Sequence, residues 1–328
     1  MSSTLVKRNI LEKLFIDKYK PIFLNNYILE KKFIDTLKIL IQINKLNILF
    51  VGNIGSGKTS ILHTIVKEYY KNYTQSEYSD NVLHINNLKE QGISYYRNDV
   101  KIFCQTMSRI PNKKKIILLD DIDIINEQSQ QIFRNFIDKY SNNVHFISSC
   151  SSIPKVIESI QSRFSIIRIQ SMQKPELRKI MTEISTKEHI TIENDATEFI
   201  LDVCNNTSKV LINYMENFKL INRPITLNIA SQICTNISFI IFSKYTECVK
   251  NRDLTGAINI LLSIYDKGYS VMDILDNYFL FVKSSSILTE EHKYKIISII
   301  CKYINIFYNI HEDEIELSLF TNNILNIM

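Results

Sequence analysis

Leu46-Asn47-Ile48-Leu49-Phe50-Val51-Gly52, followed directly by Asn53-Ile54-Gly55-Ser56-Gly57-Lys58-Thr59-Ser60, is the stretch that decides the fold of this chain. Its first seven residues are a short apolar run ending in glycine, the pattern of a buried parallel strand. From Lys58 the period becomes helical, with Ile61, Leu62, Ile65, Val66 and Tyr69 on one face. Between strand and helix, Gly52 to Thr59 fits G-x-x-x-x-G-K-[ST]. Glycines let backbone N–H groups turn inward around phosphate oxygens, and the start of the helix adds partial positive charge. In such a loop Gly52, Asn53, Ile54, Gly55, Ser56, Gly57 and Ser60 line the cradle. Lys58 is expected to reach the β- and γ-phosphates, and the Thr59 hydroxyl to ligate Mg²⁺. The flanking strand and helix separate the motif from a chance glycine-rich turn.

A second apolar run, Ile116 to Leu119, ends in Asp120-Asp121 about 60 residues later. An apolar strand ending in a carboxylate can hold that group at the edge of a sheet where a divalent cation sits. Asp120 is the metal-side candidate, and Asp121 is placed to orient or polarise an attacking water. Val144 to Ser148 and Ser165 to Ile169 read as two further strands. Strands alternating with helical stretches predict an α/β domain with a parallel sheet flanked by helices, spanning 1–167.

Beyond Gln170 the strand signals fade. Residues 175–221 read as helices broken at Glu193-Asn194-Asp195 and Asn205-Asn206-Thr207. Arg223-Pro224 marks a linker, because the residue before proline is pushed out of helical geometry. From about 228 the periodicity is helical again, as in Ala257, Ile258, Leu261, Leu262 and Tyr265. The expected organisation is the α/β domain, a helical lid over 168–224 and an all-α domain over 225–328.

The bulk composition narrows the class further. No apolar run approaches the roughly 20 residues that span a bilayer. The first residues, MSSTLVKRNILEKLF, carry charges through their apolar stretch and do not read as a signal peptide, so an intracellular protein is expected. Six cysteines at 104, 150, 204, 234, 248 and 301 lack C-x-x-C spacing, and read as buried reduced thiols. A net charge of +5 permits binding to a polyanion without requiring it. Lys113-Lys114-Lys115 reads as a solvated turn before the 116–119 strand.

With the phosphate loop and acidic box in place, further motifs resemble the small subunits of replication factor C, the sliding-clamp loaders of the AAA+ class. Ile16-Asp17-Lys18-Tyr19-Lys20-Pro21 is similar to that family's V-E-K-Y-R-P signature. Gln91-Gly92-Ile93, Arg97, Val100, Lys101 and Phe103 follow R-G-I-x-x-I-R-x-x-V-K-x-F, and Ser129 to Arg134 resembles A-Q-Q-A-L-R. Asn142-Asn143-Val144, Ile147 and Cys150 match S-N-V-R-F-I-L-S-C-N, and Ile157-Glu158 with Ile160-Gln161-Ser162-Arg163 match I-I-E-P-I-Q-S-R-C. The similarity covers roughly 14 to 215, and the helical remainder suits the family's oligomerising collar.

The resemblance implies a subunit of a five-membered spiral that binds ATP with Mg²⁺, opens a clamp and loads it onto primer-template DNA. Its site would be nuclear, or wherever viral DNA is replicated, with other loader subunits, the clamp and DNA as partners. It places Tyr19, Pro21 and Ile28 beside the base, and makes Arg163 an arginine finger acting in trans. Arg97, Lys101 and Arg134 are candidates for the DNA path, where phosphate contacts position a duplex without reading it, or for coupling DNA to the ATP site. This sequence departs from the family at four places. Asp121 stands for the usual Glu, Ser151 for the sensor Asn, Lys209 for the lid Arg, and Leu29 for a Gly. Asp121 is a methylene short, and Lys209 keeps charge but loses the bidentate fork. The alternatives are a non-hydrolysing subunit of the same spiral, or another AAA+ machine such as a branch-migration motor.

Overall fold

The computed structural model describes residues 13–28, 30–86, 93–235, 237–285, 287–307 and 309–328. Leu29, Gln91, Gly92 and the start of the chain through Glu12 lie outside these. Within the first part of the chain, five strands form one parallel sheet: β1 (Ile48–Val51), β2 (Val82–Asn86), β3 (Lys115–Asp120), β4 (Val144–Cys150) and β5 (Ser165–Arg168). Their order is β2-β3-β4-β1-β5. β1 and β4 hold the middle, and every residue of β4 is buried. A strand covered on both faces needs apolar side chains on both, which is why these runs read as continuous rather than alternating.

Register is what matters for function. β1 pairs with β4 so that Val51 faces Cys150, and β3 pairs with β4 so that Leu119 faces Ser148. Gly52, Asp120 and Ser151 therefore leave the sheet at nearly the same height, along its C-terminal edge. One side of the sheet is closed by the Lys58–Tyr69 helix, whose Ile61, Leu62, Ile65, Val66 and Tyr69 are all buried. Phe133, Phe136 and Ile137 of the Glu127–Tyr140 helix close the other.

Three readings of the sequence need correction. β2 falls in a stretch that carried no strand signal, because His84 and Asn86 interrupt its apolar pattern on an edge strand. The three lysines are not a solvated turn. Lys115 begins β3, is 5% exposed, and donates to the Phe103 carbonyl at 3.2 Å and to Thr106 Oγ1 at 2.5 Å. Lys113 lies 4.2 Å over the Tyr69 ring, and Lys114 donates to the Ser141 carbonyl. Of the thiols, Cys301 is exposed and Cys248 half-buried, while the other four are buried.

By compactness the chain divides into two units. The first holds the described residues up to Glu176 together with Thr207–Val210. The second holds Leu177–Asn206 and Leu211–Met328, and is helical. Asn205 and Asn206 both adopt left-handed backbone, a conformation asparagine tolerates, and so end one helix before Ser208–Ile221 begins. The core of the second unit is built on Phe242, Tyr245, Tyr278 and Phe320. Two of its phenols are buried beside threonines, with Tyr245 donating to Thr321 at 3.2 Å and Tyr278 3.3 Å from Thr246. Among the described residues, no helix is long and apolar enough to cross a membrane.

Candidate nucleotide site

The loop after β1 has the backbone a phosphate cradle needs. Gly55 and Gly57 take positive φ, 78° and 90°, which side-chain-bearing residues rarely adopt. A Cβ at Gly52 would stand 2.7 Å from Ser56 Oγ and 3.0 Å from the Ile169 carbonyl, so only glycine fits there. Asn53 ties the loop to Ser171 at 3.2 Å. Ser56 is buried, Ile54 is 85% exposed, and Ser60 sits in the first turn of the following helix.

Lys58 is 7% exposed, and its ammonium donates to the carbonyls of Gly52 at 2.9 Å and Asn53 at 3.1 Å, and to Ser151 Oγ at 3.1 Å. Those three acceptors hold the charge over the loop. Ser151 thus meets the phosphate lysine in the place where the sensor residue was expected. Thr59 Oγ1 donates to Asp120 Oδ2 at 2.9 Å. A hydroxyl and a carboxylate oxygen this close are hard oxygen donors within reach of one small cation, the donor set that suits Mg²⁺.

Asp121 has a φ of 50°, and its N–H donates to Ser149 Oγ at 3.0 Å. Burial raises its carboxyl above the usual range, with Asp120 and Asp123 adding to the effect and Lys58 opposing it. Asp123 Oδ2 accepts the N–H groups of Ser151 at 3.1 Å and Ser152 at 3.0 Å. This clamp on the turn after β4 was not read from the sequence, although the D-D-I-D spacing held the signal.

The remaining candidates fall into three groups. Thr64 Oγ1 lies 3.0 Å from the Tyr27 hydroxyl and 3.3 Å from the Pro21 carbonyl, so the segment carrying Tyr19, Pro21 and Ile28 is pinned to the phosphate-loop helix. All three are half-buried. Lys209 is exposed in the first turn of the Ser208–Ile221 helix, and neighbouring Thr207 packs its methyl against Gly55. Arg97 and Lys101 are exposed on a helical stretch that contains a π-turn at Tyr96–Val100. Tyr96 packs edge-on to Phe133, next to half-buried Arg134.

Arg163 stands apart from this group. It lies two residues before β5, whose first N–H bonds to the Asn47 carbonyl at the N-terminal edge of the sheet. Its own phosphate loop is at the other edge, a four-residue strand or about 13 Å away. The guanidinium makes a two-pronged pair with Asp138, at 2.6 Å and 3.0 Å, and donates to the Ser159 carbonyl at 2.5 Å. That pair lowers the Asp138 carboxyl below its usual range.

A phosphate loop after the interior strand β1, an acidic box ending β3 two strands away and a polar residue just after β4 between them define an AAA-type nucleotide-binding module. The family of AAA ATPases associated with various cellular activities matches residues 48–172. The replication factor C C-terminal domain matches residues 241–304. The replication factor C small subunit of Methanococcus vannielii is 28% identical over 283 residues, covering 86% of this chain and 89% of that protein. Replication factor C subunit 4 of Saccharomyces cerevisiae is 26% identical over 299 residues, covering 86% of each. The chain thus carries an AAA domain and a replication factor C C-terminal domain, and these relatives along most of its length are replication factor C small subunits. Among solved structures, the Thermotoga maritima RuvB Holliday junction branch migration motor has a TM-score of 0.54 at 13% identity, covering 85% of this chain and 98% of that one. At that identity the likeness is one of fold alone.

Proposed function

We propose that this chain is a clamp-loader subunit that binds ATP with Mg²⁺ and, inside the assembled complex, hydrolyses it while a sliding clamp is placed on primer-template DNA. The observation that carries this is the convergence of Lys58, Thr59, Asp120 and Ser151 at one edge of the sheet, in a chain whose relatives along most of its length are replication factor C subunits. Bound magnesium would supply charge neutralisation at the β- and γ-phosphates, with Thr59 and Asp120 as its protein ligands. Lys58 exchanges its loop carbonyls for phosphate oxygens, and Tyr19, Pro21 and Ile28 flank the base. Ser151 and Lys209 read the state of the phosphates.

Asp121 takes the place of the catalytic acid. Its raised proton affinity suits a group that accepts a proton from water, but its shorter side chain argues for slow turnover outside the complex. Arg163 serves a neighbouring subunit's nucleotide, since its place at the opposite sheet edge removes it from its own. Arg97, Lys101 and Arg134 contact the DNA backbone. The helical residues 168–224 and 225–328 act as lid and collar.

Single-turnover hydrolysis in the complex reconstituted with partner subunits, clamp and primed DNA tests the reading. Asp121→Asn should lower the rate at this site, and an unchanged rate would remove Asp121 from the mechanism. Arg163→Ala should lower hydrolysis at the adjacent site by about a thousandfold. Undiminished clamp loading with Lys58→Ala would instead favour a purely structural subunit.

A further inference from the structure

β4 reads Val144-His145-Phe146-Ile147-Ser148-Ser149-Cys150, and both serines in its buried run are 0% exposed. A hydroxyl in the middle of a sheet core costs free energy unless it is paired. The two behave differently. Ser148 Oγ is buried without a hydrogen-bond partner among the described residues. Ser149 Oγ donates its single proton to Asp120 Oδ1 at 2.6 Å and accepts the Asp121 N–H at 3.0 Å. The Ser149 carbonyl also accepts the Ile122 N–H at 2.9 Å.

We infer that Ser149 is a positioning residue that sets Asp120 for its divalent cation. This rests on the nucleotide reading above. Asp120 has two carboxylate oxygens, and Ser149 commits Oδ1 at a distance typical of a charge-assisted O–H···O⁻ bond. Oδ2 is then the oxygen turned toward Thr59 Oγ1, 2.9 Å away. One serine hydroxyl thereby fixes the carboxylate rotation and selects the oxygen that faces the cation. The same hydroxyl anchors the backbone where Asp121 enters its left-handed conformation, so both acids take their places from one atom of the neighbouring strand. Groups that orient a metal ligand in this way typically change metal affinity by about ten- to a hundredfold when removed.

The experiment titrates a fluorescent ATP analogue into the full chain, once with Mg²⁺ and once with EDTA. Direct Mn²⁺ binding in the presence of the analogue is followed by electron paramagnetic resonance. Ser149→Ala should weaken Mn²⁺ binding and reduce the Mg²⁺-dependent gain in nucleotide affinity, each about tenfold or more. Its affinity in EDTA should stay at the wild-type value. Ser148→Ala removes the same atom one residue away and should change neither. A Ser149→Ala chain that keeps the full Mg²⁺ gain overturns the inference, as does one that loses affinity equally with and without metal. Should Ser149→Ala not fold, Ser149→Cys keeps the volume with a weaker donor and must show the same selective loss. If the wild-type chain binds no nucleotide, the nucleotide reading itself has failed, a result distinct from either variant outcome.

Discussion

At the N-terminal edge of the sheet, Asn44 Oδ1 accepts bonds from the Tyr69 hydroxyl at 3.0 Å and the His145 ring at 2.9 Å. Nearby, Asn47 Oδ1 accepts the Phe146 N–H, the Tyr69 oxygen accepts the Lys114 N–H, and Tyr70 donates to the Lys114 carbonyl. At the C-terminal edge of the same strands, three carboxylates crowd into four residues. There Ser56 Oγ and Asp123 Oδ1 are buried without hydrogen-bond partners among the described residues. These bonds at the first edge join neutral groups, although Asn81 Nδ2 and Tyr140 Oη nearby are buried without hydrogen-bond partners among the described residues. The other crowds Asp120, Asp121 and Asp123 together, a like-charge cost that persists where the surrounding structure is built around a ligand. The lesson is that stability and chemistry are assigned to opposite ends of each strand. Removing a buried, hydrogen-bonded group at the first edge should destabilise the fold, and at the second should cost binding while the fold survives.

The largest effect expected is at Lys58. Lys58→Ala removes the ammonium that would hold two phosphates, and charge-assisted bonds of about 1.5 kcal/mol each amount to roughly a hundredfold in affinity. Nucleotide titration should show that loss while thermal melting stays near the wild-type value. A large fall in melting temperature would break the division between the edges. The next effect belongs to His145, which is 2% exposed. Burial, with Lys114 and Lys113 beside it, lowers its pKa to about 3. The unfolded chain binds that proton near pH 6.5, so between 6.5 and 3 the unfolded state carries more protons and stability rises with pH. The contribution is complete above 6.5 and is lost on acidification, on the order of 2 kcal/mol by pH 5. Urea unfolding at pH 7 and pH 5 checks it: His145→Gln should lose much of the pH dependence, with no change in nucleotide affinity at pH 7.

How much of this was legible in the sequence follows the same division. The phosphate loop and the strands β1, β3 and β4 were readable because glycine spacing and continuous apolar runs are local signals. Asp120 and Thr59 could be paired in advance because their two motifs share one cation, and the sheet brings them to within 2.9 Å. β2 was not readable, since an edge strand with His84 and Asn86 has neither an apolar run nor clean alternation. Nor were the roles of Ser149 and Asp123, which arise from strand register and from a turn between distant residues. The lysine run was misread because charge alone says solvent, whereas Lys115 finds a carbonyl and a hydroxyl below the surface. Arg163 was singled out by its motif, but its distance from its own phosphate loop needed the sheet.

Gly55 offers a smaller effect that sharpens the comparison from inside the loop. An alanine there would have to hold a φ of 78°, at about 1 kcal/mol, and its Cβ would press on the Thr207 methyl. Gly55→Ala should therefore weaken nucleotide binding about fivefold to tenfold and lower stability only slightly. Equal losses in both would mean that the loop is part of the structural core.

The smallest effect is expected at Asp138. Its pair with Arg163 lies on the structural edge of the sheet, yet both side chains are well exposed, at 48% and 32%. Exposed ion pairs contribute little, because water competes for both charges and holding two long side chains costs entropy. By position this corner belongs with His145, but by solvent exposure it belongs with the surface. If exposure governs, Asp138→Ala leaves the melting temperature unresolved from wild type and changes nucleotide affinity less than about twofold. If position governs, it destabilises the chain as removing a buried group would. Thermal melts of Asp138→Ala beside His145→Gln decide between them. A stable Asp138→Ala chain would mean that Arg163 is held by a weak, exchangeable partner, as a guanidinium must be if it is to leave that carboxylate for a neighbour's phosphates.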